Sequence, residues 1–419
     1  MAESSFESAV NKLDSAFRTG HVYAPWIRFK VGSLDIETSS KKRNYFLSMQ
    51  NERNGSGQAN KFTINIAYIP AAGNNDSQEA DIDRIDKELA VSGLECTLQY
   101  GYSYPVELKS PEYVGKILDY QVEIRDGALF YTITGYSGLV SLNEQNITTD
   151  KYSNKKPTEI VEDIYNKYLK DQGYELEFEN DCKGTDKQLD GDIDITTDVN
   201  VFEYISSILS KAEYESDDEN TDASEKSTYQ YIINDIKDSK KIVVQRICPK
   251  DLLKDAPKVV FNWMAPNKDG GNLVINFTTA FKGAILLAQT YKEDDKDFQK
   301  YGLNEKGEKV EAYSRYSPTS GAKAEDDAKS TKTTWAEATQ HSYTATLTTL
   351  GIPSHIQISE RMKIIPIING KAHHTQGTYM ITKISDQIDS GGFITSFELM
   401  KLGIETTAEK DKKNNSQGK

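Results

Sequence analysis

Cysteine is scarce: Cys96, Cys182 and Cys248 are the only three in 419 residues, widely spaced and without a CxxC pair. They exclude a disulfide framework, and nothing about them asks for an oxidising compartment. Long apolar runs are missing too. The longest, Ala284 to Ala288, is far too short to cross a bilayer, so no direct membrane anchor is expected. The opening MAESSFESAVNKLDSAF carries acidic residues and no apolar h-region, so no signal peptide is expected. Positive charge is in deficit, with 50 Lys and Arg against 64 Asp and Glu and a net charge of -14. That argues against sequence-specific nucleic-acid binding, which needs clustered cations on phosphates. There is no Walker loop and no GxGxxG.

What is present is a polar but foldable chain, 37% hydrophobic and 27% charged, long enough for several domains. The start, 1–21, reads as an amphipathic helix. Ser4 and Glu7 fit a capping box, Phe6, Val10, Leu13 and Phe17 share a face, and Gly20 ends it. From Trp26 to about Leu142 short alternating runs predict strands: 27–31, 62–68, 95–100, 114–124 and 129–133. Asp126-Gly127 is the turn between the last two. This first region, 22–145, is expected to be a β-barrel-like domain.

The middle, 146–239, changes character to α+β. Pro157 opens a helix that Gly173 closes, and Asn200 with Glu203 caps a second. Glu175 to Phe178 is a strand between them, and the acidic run 213–225 reads as a solvated loop without the glycine or terminal glutamate of a calcium loop. Strands resume over 240–402, broken by a polar insertion at 292–340 whose end, 322–340, has helical character. The residues 403–419 are expected to form a flexible tail.

The most informative stretch is Ser342 to Leu402. A strand leads into the turn Gly351-Ile352-Pro353, then comes Gly377-Thr378-Tyr379-x-Ile381-x-x-Ile384, and the segment closes on Gly392-Phe393-x-Thr395-x-Phe397-x-Leu399. Upstream, Gly135-Tyr136-Ser137-Gly138-Leu139, Pro157-Thr158-Glu159-Ile160-Val161 and Asn200-Val201-Phe202-Glu203-Tyr204-Ile205 fall in a matching order. This layout resembles the central hub proteins of phage tail baseplates: late-control protein D, the T4-type hub and the N-terminal hub region of type VI secretion spike proteins. The layout covers about 22–402, the specific wording only some sixty residues.

The resemblance implies a mainly β fold with an α+β insertion and two barrel-like hub domains. The second, 240–402, would be discontinuous because of the insertion. It further implies a homotrimer in the virion tail baseplate, assembled in the bacterial host cytoplasm, that adapts a sixfold tail tube to a threefold spike. Tail tube, spike, tape-measure and other baseplate proteins would be its partners. No lysozyme-like or β-helical extension follows Leu402, so wall digestion is expected of other chains. Contractile and non-contractile tails are not separated by these residues.

Chemistry-bearing groups are sparse, and no catalytic, cofactor-binding or metal-binding residue is assigned; no cofactor is expected. Ser137 sits in a near nucleophile elbow, but Leu139 stands where glycine is needed. His373 and His374, with His355 nearby, are adjacent on presumed strand and so face opposite ways. His21 and His341 have no evident companions, and Cys248 lacks a positioned histidine. A tail-associated peptidoglycan hydrolase and a receptor- or carbohydrate-binding tail-tip protein are the alternative readings.

Overall fold

A computed structural model of the chain describes residues 5–19, 24–38, 46–55, 57–68, 85–90, 93–104, 107–140, 151–189, 192–194, 200–217, 226–254, 256–265, 267–281, 301–303, 309–311 and 340–403. His21, the acidic run from 218, most of the insertion at 292–340 and the tail from 404 lie outside the described residues.

Helix α1 (Phe6–Arg18) is capped by Ser5, whose hydroxyl accepts the Ser8 N–H, one residue later than the capping box read from Ser4. It buries Phe6, Ala9, Val10 and Leu13, while Phe17 is exposed. The stripe docks within the chain, on the far C-terminal strands: the Phe6 ring lies 6.0 Å from Phe397 and 6.5 Å from Phe261. Each large side chain so covered contributes on the order of 2 kcal/mol.

The first set of strands is β1 (Ala24–Val31), β2 (Leu34–Glu37), β3 (Phe46–Asn54), β4 (Lys61–Tyr68), β5 (Glu95–Tyr104), β6 (Leu108–Lys109), β7 (Tyr113–Arg125) and β8 (Ala128–Tyr136). They are joined antiparallel in the order β2-β1-β5-β7-β8-β4-β3, with β6 on β5. The β7–β8 turn is tight because Asp126 and Gly127 adopt φ of 54° and 74°, the left-handed pair that matches strand twist.

The middle comprises β9 (Lys151–Ser153), α2 (Pro157–Ile164), β10 (Glu175–Glu179), β11 (Asp192–Asp194), α3 (Val201–Leu209), β12 (Thr228–Ile236) and β13 (Ser239–Ile247). After α2 the chain makes a π-helical turn, then a 3₁₀ turn that ends at Gly173 with φ 77°. Asn200 caps α3, its side chain accepting the N–H groups of Phe202 and Glu203. The apolar faces of both helices, with Ile160, Ile164, Ile205 and Ile208, close a separate core over β12 and β13. Strand β10 joins β13 in parallel, a pairing that periodicity alone does not reveal.

The C-terminal set is β14 (Val259–Phe261), β15 (Val274–Phe281), β16 (Tyr301–Leu303), β17 (Lys309–Glu311), β18 (Tyr343–Leu350), β19 (Arg361–Ile364), β20 (Ile367–Ile368), β21 (Lys371–Ala372), β22 (Gly377–Asp389) and β23 (Gly392–Lys401). The order is β14-β19-β22-β23-β18-β15. Within the expected polar insertion, β16 and β17 pair antiparallel.

The fold is mainly β, and its large sheet is almost wholly antiparallel. Among the described residues the pairings do not close either set into a ring: β2 has no strand beyond it, and neither has β15. The two sets repeat one another. In both, a long strand (β7, β22) is followed by a two-residue turn and a return strand (β8, β23). In both, the long strand is interrupted at the same step from the turn, between Ile117 and Asp119 and between Ile381 and Lys383. Next come β4 and β18, then β3 and β15, each with its own irregularity one residue in, beside Phe46 and beside Val274. On the other side of the long strands β5 and β19 are equivalent, and there the likeness stops. Strand β1 runs antiparallel to β5, whereas β14 runs parallel to β19.

Candidate functional site at the seam between the two strand sets

The β22 strand belongs to both sets. Its first half, from Gly377 to Met380, pairs with β19, and its second half pairs with β3 from Lys383↔Asn54 to Ile388↔Met49. A single hydrophobic core therefore runs through both sets, from Phe29 and Ile64 to Tyr379 and Phe397.

Buried polar groups are concentrated at this seam. Asp386, fully buried, accepts Arg53 Nη2 at 2.9 Å and Tyr100 Oη at 2.6 Å on one oxygen, and Thr395 Oγ1 at 2.6 Å on the other. Arg53 also donates from Nη1 to the Ile356 carbonyl at 2.8 Å and lies 5.4 Å over the Tyr113 ring. Burial opposes the guanidinium charge, but Tyr113, Tyr100 and Asp386 outweigh it and hold Arg53 above its ordinary value. Burial and the facing Asp386 push the Tyr100 hydroxyl far up, so it stays a donor. Charge-assisted bonds of this kind fix geometry more than they add stability.

The motif read from the sequence converges on the same place. A Cβ on Gly351 would lie 2.1 Å from the Phe393 ring, so the turn requires glycine for close approach. The Ile352 N–H donates to Thr395 Oγ1 at 2.9 Å, and Tyr102 Oη donates to the Gly351 carbonyl at 3.1 Å. Phe393 meets Tyr100 edge-on at 5.7 Å. The Gly-x-Pro turn and the Gly-Phe-x-Thr strand are thus two halves of one joint.

A second buried carboxylate fastens the middle set to the first. Asp235 accepts Ser137 Oγ at 2.8 Å, Asn60 Nδ2 at 2.7 Å and the Tyr174 hydroxyl, and its burial raises its pKa. This accounts for Ser137: it is buried, and its partner is a structural carboxylate rather than an imidazole. Where the three sets meet, Arg53, Asn60, Tyr113, Asp235 and His355 line a cavity of about 40 Å³, the size for water and not for a substrate. A roomier groove of about 270 Å³ runs between α3 and the C-terminal set, past Leu209, Tyr229, His341, Met380 and Met400. Burial lowers the pKa of His341 there.

The remaining residues singled out in the sequence are dispersed. His373 and His374 do not face opposite ways. They lie just past β21 rather than on a strand, their rings are 4.0 Å apart, and His373 Nδ1 bonds Thr375 Oγ1 at 2.9 Å. Among the described residues no cluster of three His, Cys, Asp or Glu side chains has metal-binding spacing. Cys96, Cys182 and Cys248 are buried, and desolvation raises the Cys182 thiol to about 12. In the acidic run, Glu213, Glu215 and Asp217 are held by Lys187, Lys156 and the Ser227 N–H in turn, so these three are engaged with the protein's own groups. Sequence reasoning missed Arg53 and Asp386. A lone Asp in an alternating strand is a weak signal, and only the pairing of β22 with β3 brings it to an arginine 333 positions away.

Neither a protein-family model nor a curated protein sequence matches this chain. Solved structures do. A tail protein from Neisseria meningitidis superposes with a TM-score of 0.57 at 13% identity, over 90% of this chain and 97% of that one. The 43 kDa tail protein of prophage MuSo2 from Shewanella oneidensis gives 0.56 at 13% identity, over the same 90% and 97%. A chain of the Francisella PdpA–VgrG complex gives 0.53 at 11% identity, over 94% of this chain but only 62% of that one. At such identities the likeness is one of fold, and it spans both strand sets and the middle: this chain has the fold of phage tail proteins.

Proposed function

We propose that this chain is a structural component of a phage tail or a related contractile injection system, the central hub of its baseplate. The observation that carries the reading is the repeat itself. Two equivalent strand sets, locked through one shared strand, give each chain two similar building blocks, and the fold matches tail proteins over nearly their whole length. Three such chains would present six similar sets, which adapts a sixfold tail tube to a threefold spike. In this reading 22–145 and 240–402 are the two hub domains, the second interrupted at 292–340, and 146–239 is peripheral. Tail tube, spike, tape-measure and other baseplate proteins are the partners, and the virion tail is the location. The role is read as mechanical rather than enzymatic, because the Asp386 carboxylate at the seam is taken up by Arg53, Tyr100 and Thr395, which hold the strand sets together.

The test is the mass of the purified protein by light scattering, together with its co-purification with tail components. A trimer of about 141 kDa, three times the 47.0 kDa chain, is expected. A monomer at all concentrations that binds no tail component would overturn the reading, and clearing of a cell-wall zymogram by the pure protein would favour a hydrolase instead.

A further inference from the structure

Asparagine precedes glycine twice in the sequence, at Asn54-Gly55 and at Asn369-Gly370. In this dipeptide a backbone nitrogen can reach the neighbouring side-chain amide with no Cβ in the way. The fold treats the two copies oppositely.

Asn369 and Gly370 are the whole loop between β20 and β21, whose pairs are Ile367↔Ala372 and Ile368↔Lys371. Their φ angles of 51° and 75° are those of a tight turn with both central residues left-handed. Ile368, Asn369, Gly370 and Lys371 are all exposed, and a Cβ on Gly370 would meet nothing within 4 Å. Among the described residues no hydrogen bond holds the Asn369 amide. The base of the hairpin is anchored instead. The Ile367 N–H donates to the Trp263 carbonyl at 3.0 Å, and the His373 N–H to that of Pro366 at 2.8 Å.

Asn54 is only 9% exposed. Its Nδ2 donates to the Ala59 carbonyl at 3.1 Å, and its own N–H donates to Asn60 Oδ1 at 3.0 Å. The Gly55 N–H is committed to the Thr382 carbonyl at 3.1 Å. Both groups that would have to react are engaged, at the end of the strand that pairs Asn54 with Lys383 across the seam.

We propose that Asn369 is a site of spontaneous deamidation, and that the fold protects Asn54 from the same reaction. The Gly370 nitrogen, losing its proton to hydroxide, attacks Asn369 Cγ. A C–N bond forms, the Cγ–Nδ2 bond breaks, and ammonia leaves with a proton taken from water. Water then opens the cyclic imide. Addition at Cγ gives aspartate, and addition at the Asn369 main-chain carbonyl gives isoaspartate, in which the chain runs through the former side chain. One water enters and one ammonia leaves, so no oxidant or cofactor is needed. Either product sets a new negative charge beside Lys371. Isoaspartate also adds one atom to the backbone of a loop built for two ordinary residues, so the Ile368↔Lys371 pair is expected to open while the anchored base holds. None of this depends on the hub reading.

The experiment ages the full chain at mildly alkaline pH and follows both peptides by mass spectrometry. Isoaspartate is read by methylation with an isoaspartyl methyltransferase and labelled S-adenosylmethionine. Asn369 is expected to convert to the two acids. Asn54 is expected to convert at least about tenfold more slowly, because its strand must open first. In urea the two rates should converge. Asn369→Gly keeps a turn that glycine tolerates and should abolish the methyl label. Hydrogen exchange at Lys371 should speed in the aged protein with the melting temperature unchanged. An Asn369 that stays an amide overturns the proposal, as does an Asn54 that converts as fast in the folded chain as in urea. A methyl label that persists in Asn369→Gly places the reaction elsewhere and overturns it too.

Discussion

Arg53 and Asp386 meet at 2.9 Å with almost no solvent, and their partners are unequal. If Arg53 is replaced by Met, Asp386 keeps its Tyr100 and Thr395 donors; if Asp386 is replaced by Leu, the guanidinium keeps one carbonyl. Removing one member of a buried pair costs about 3 to 5 kcal/mol, and the larger loss belongs to the change that leaves the poorer-served charge. Asp386→Leu is therefore expected to lower the urea midpoint more than Arg53→Met, with the double variant less damaged than the two losses combined. Equal losses that simply add would show that the two residues act separately. Glu360 is a second residue with a readable consequence. Burial lifts its carboxyl to about 7, above the usual range near 4.3, so the fold favours the protonated form. The sign follows: stability contributed below about pH 4.3 is lost as pH rises through about 7. Glu360→Gln should raise the melting temperature at pH 8 and change it little at pH 4. An equal shift at both pH values would rule out the ionisation as the cause.

At the scale of elements, the turn at Gly351 and the strand at Phe393 form one device, and both were visible as wording before their contact was. Gly351→Ala drives a methyl into the Phe393 ring and is expected to cost about 1 to 3 kcal/mol by overpacking. Combining it with Phe393→Leu should recover part of that loss, which a denaturation cycle would read; strictly additive losses would place the strain elsewhere. Helix α1 was legible from its stripe, its docking surface was not. The periodicity of Phe6, Val10 and Leu13 specifies a buried face, and nothing local says that Phe261 and Phe397 cover it. The same limit hid the parallel β10–β13 pair, decided by chain returning from afar, whereas the close approach of the His373 and His374 rings was hidden because the two lie just past β21 rather than on a strand. The repeat was hidden for another reason. Between β7–β8 and β22–β23, equivalent positions share little beyond Ile117 with Ile381, Ile124 with Ile388, and Gly127 with Gly391. Alternation, a bulge and a tight turn survive where residue identity does not, since a strand needs only the right kind of side chain on each face.

For the whole molecule, net charge and edge chemistry act against each other. Each chain carries a charge of -14, so copies repel at low ionic strength. The exposed strand edges instead carry apolar side chains, Tyr120, Val122 and Ile124 on β7 and Phe281 on β15. Salt therefore has repulsion to screen and no attraction to weaken, since the Debye length falls from about 10 Å at 0.1 M to about 3 Å at 1 M. Apolar burial is untouched by screening and is strengthened by excluded salts such as sulfate. Association should tighten as salt rises, and sedimentation velocity at low and high ionic strength would follow the shift from monomer to assembly. Loosening with salt would mean that ion pairs rather than apolar side chains hold the copies together.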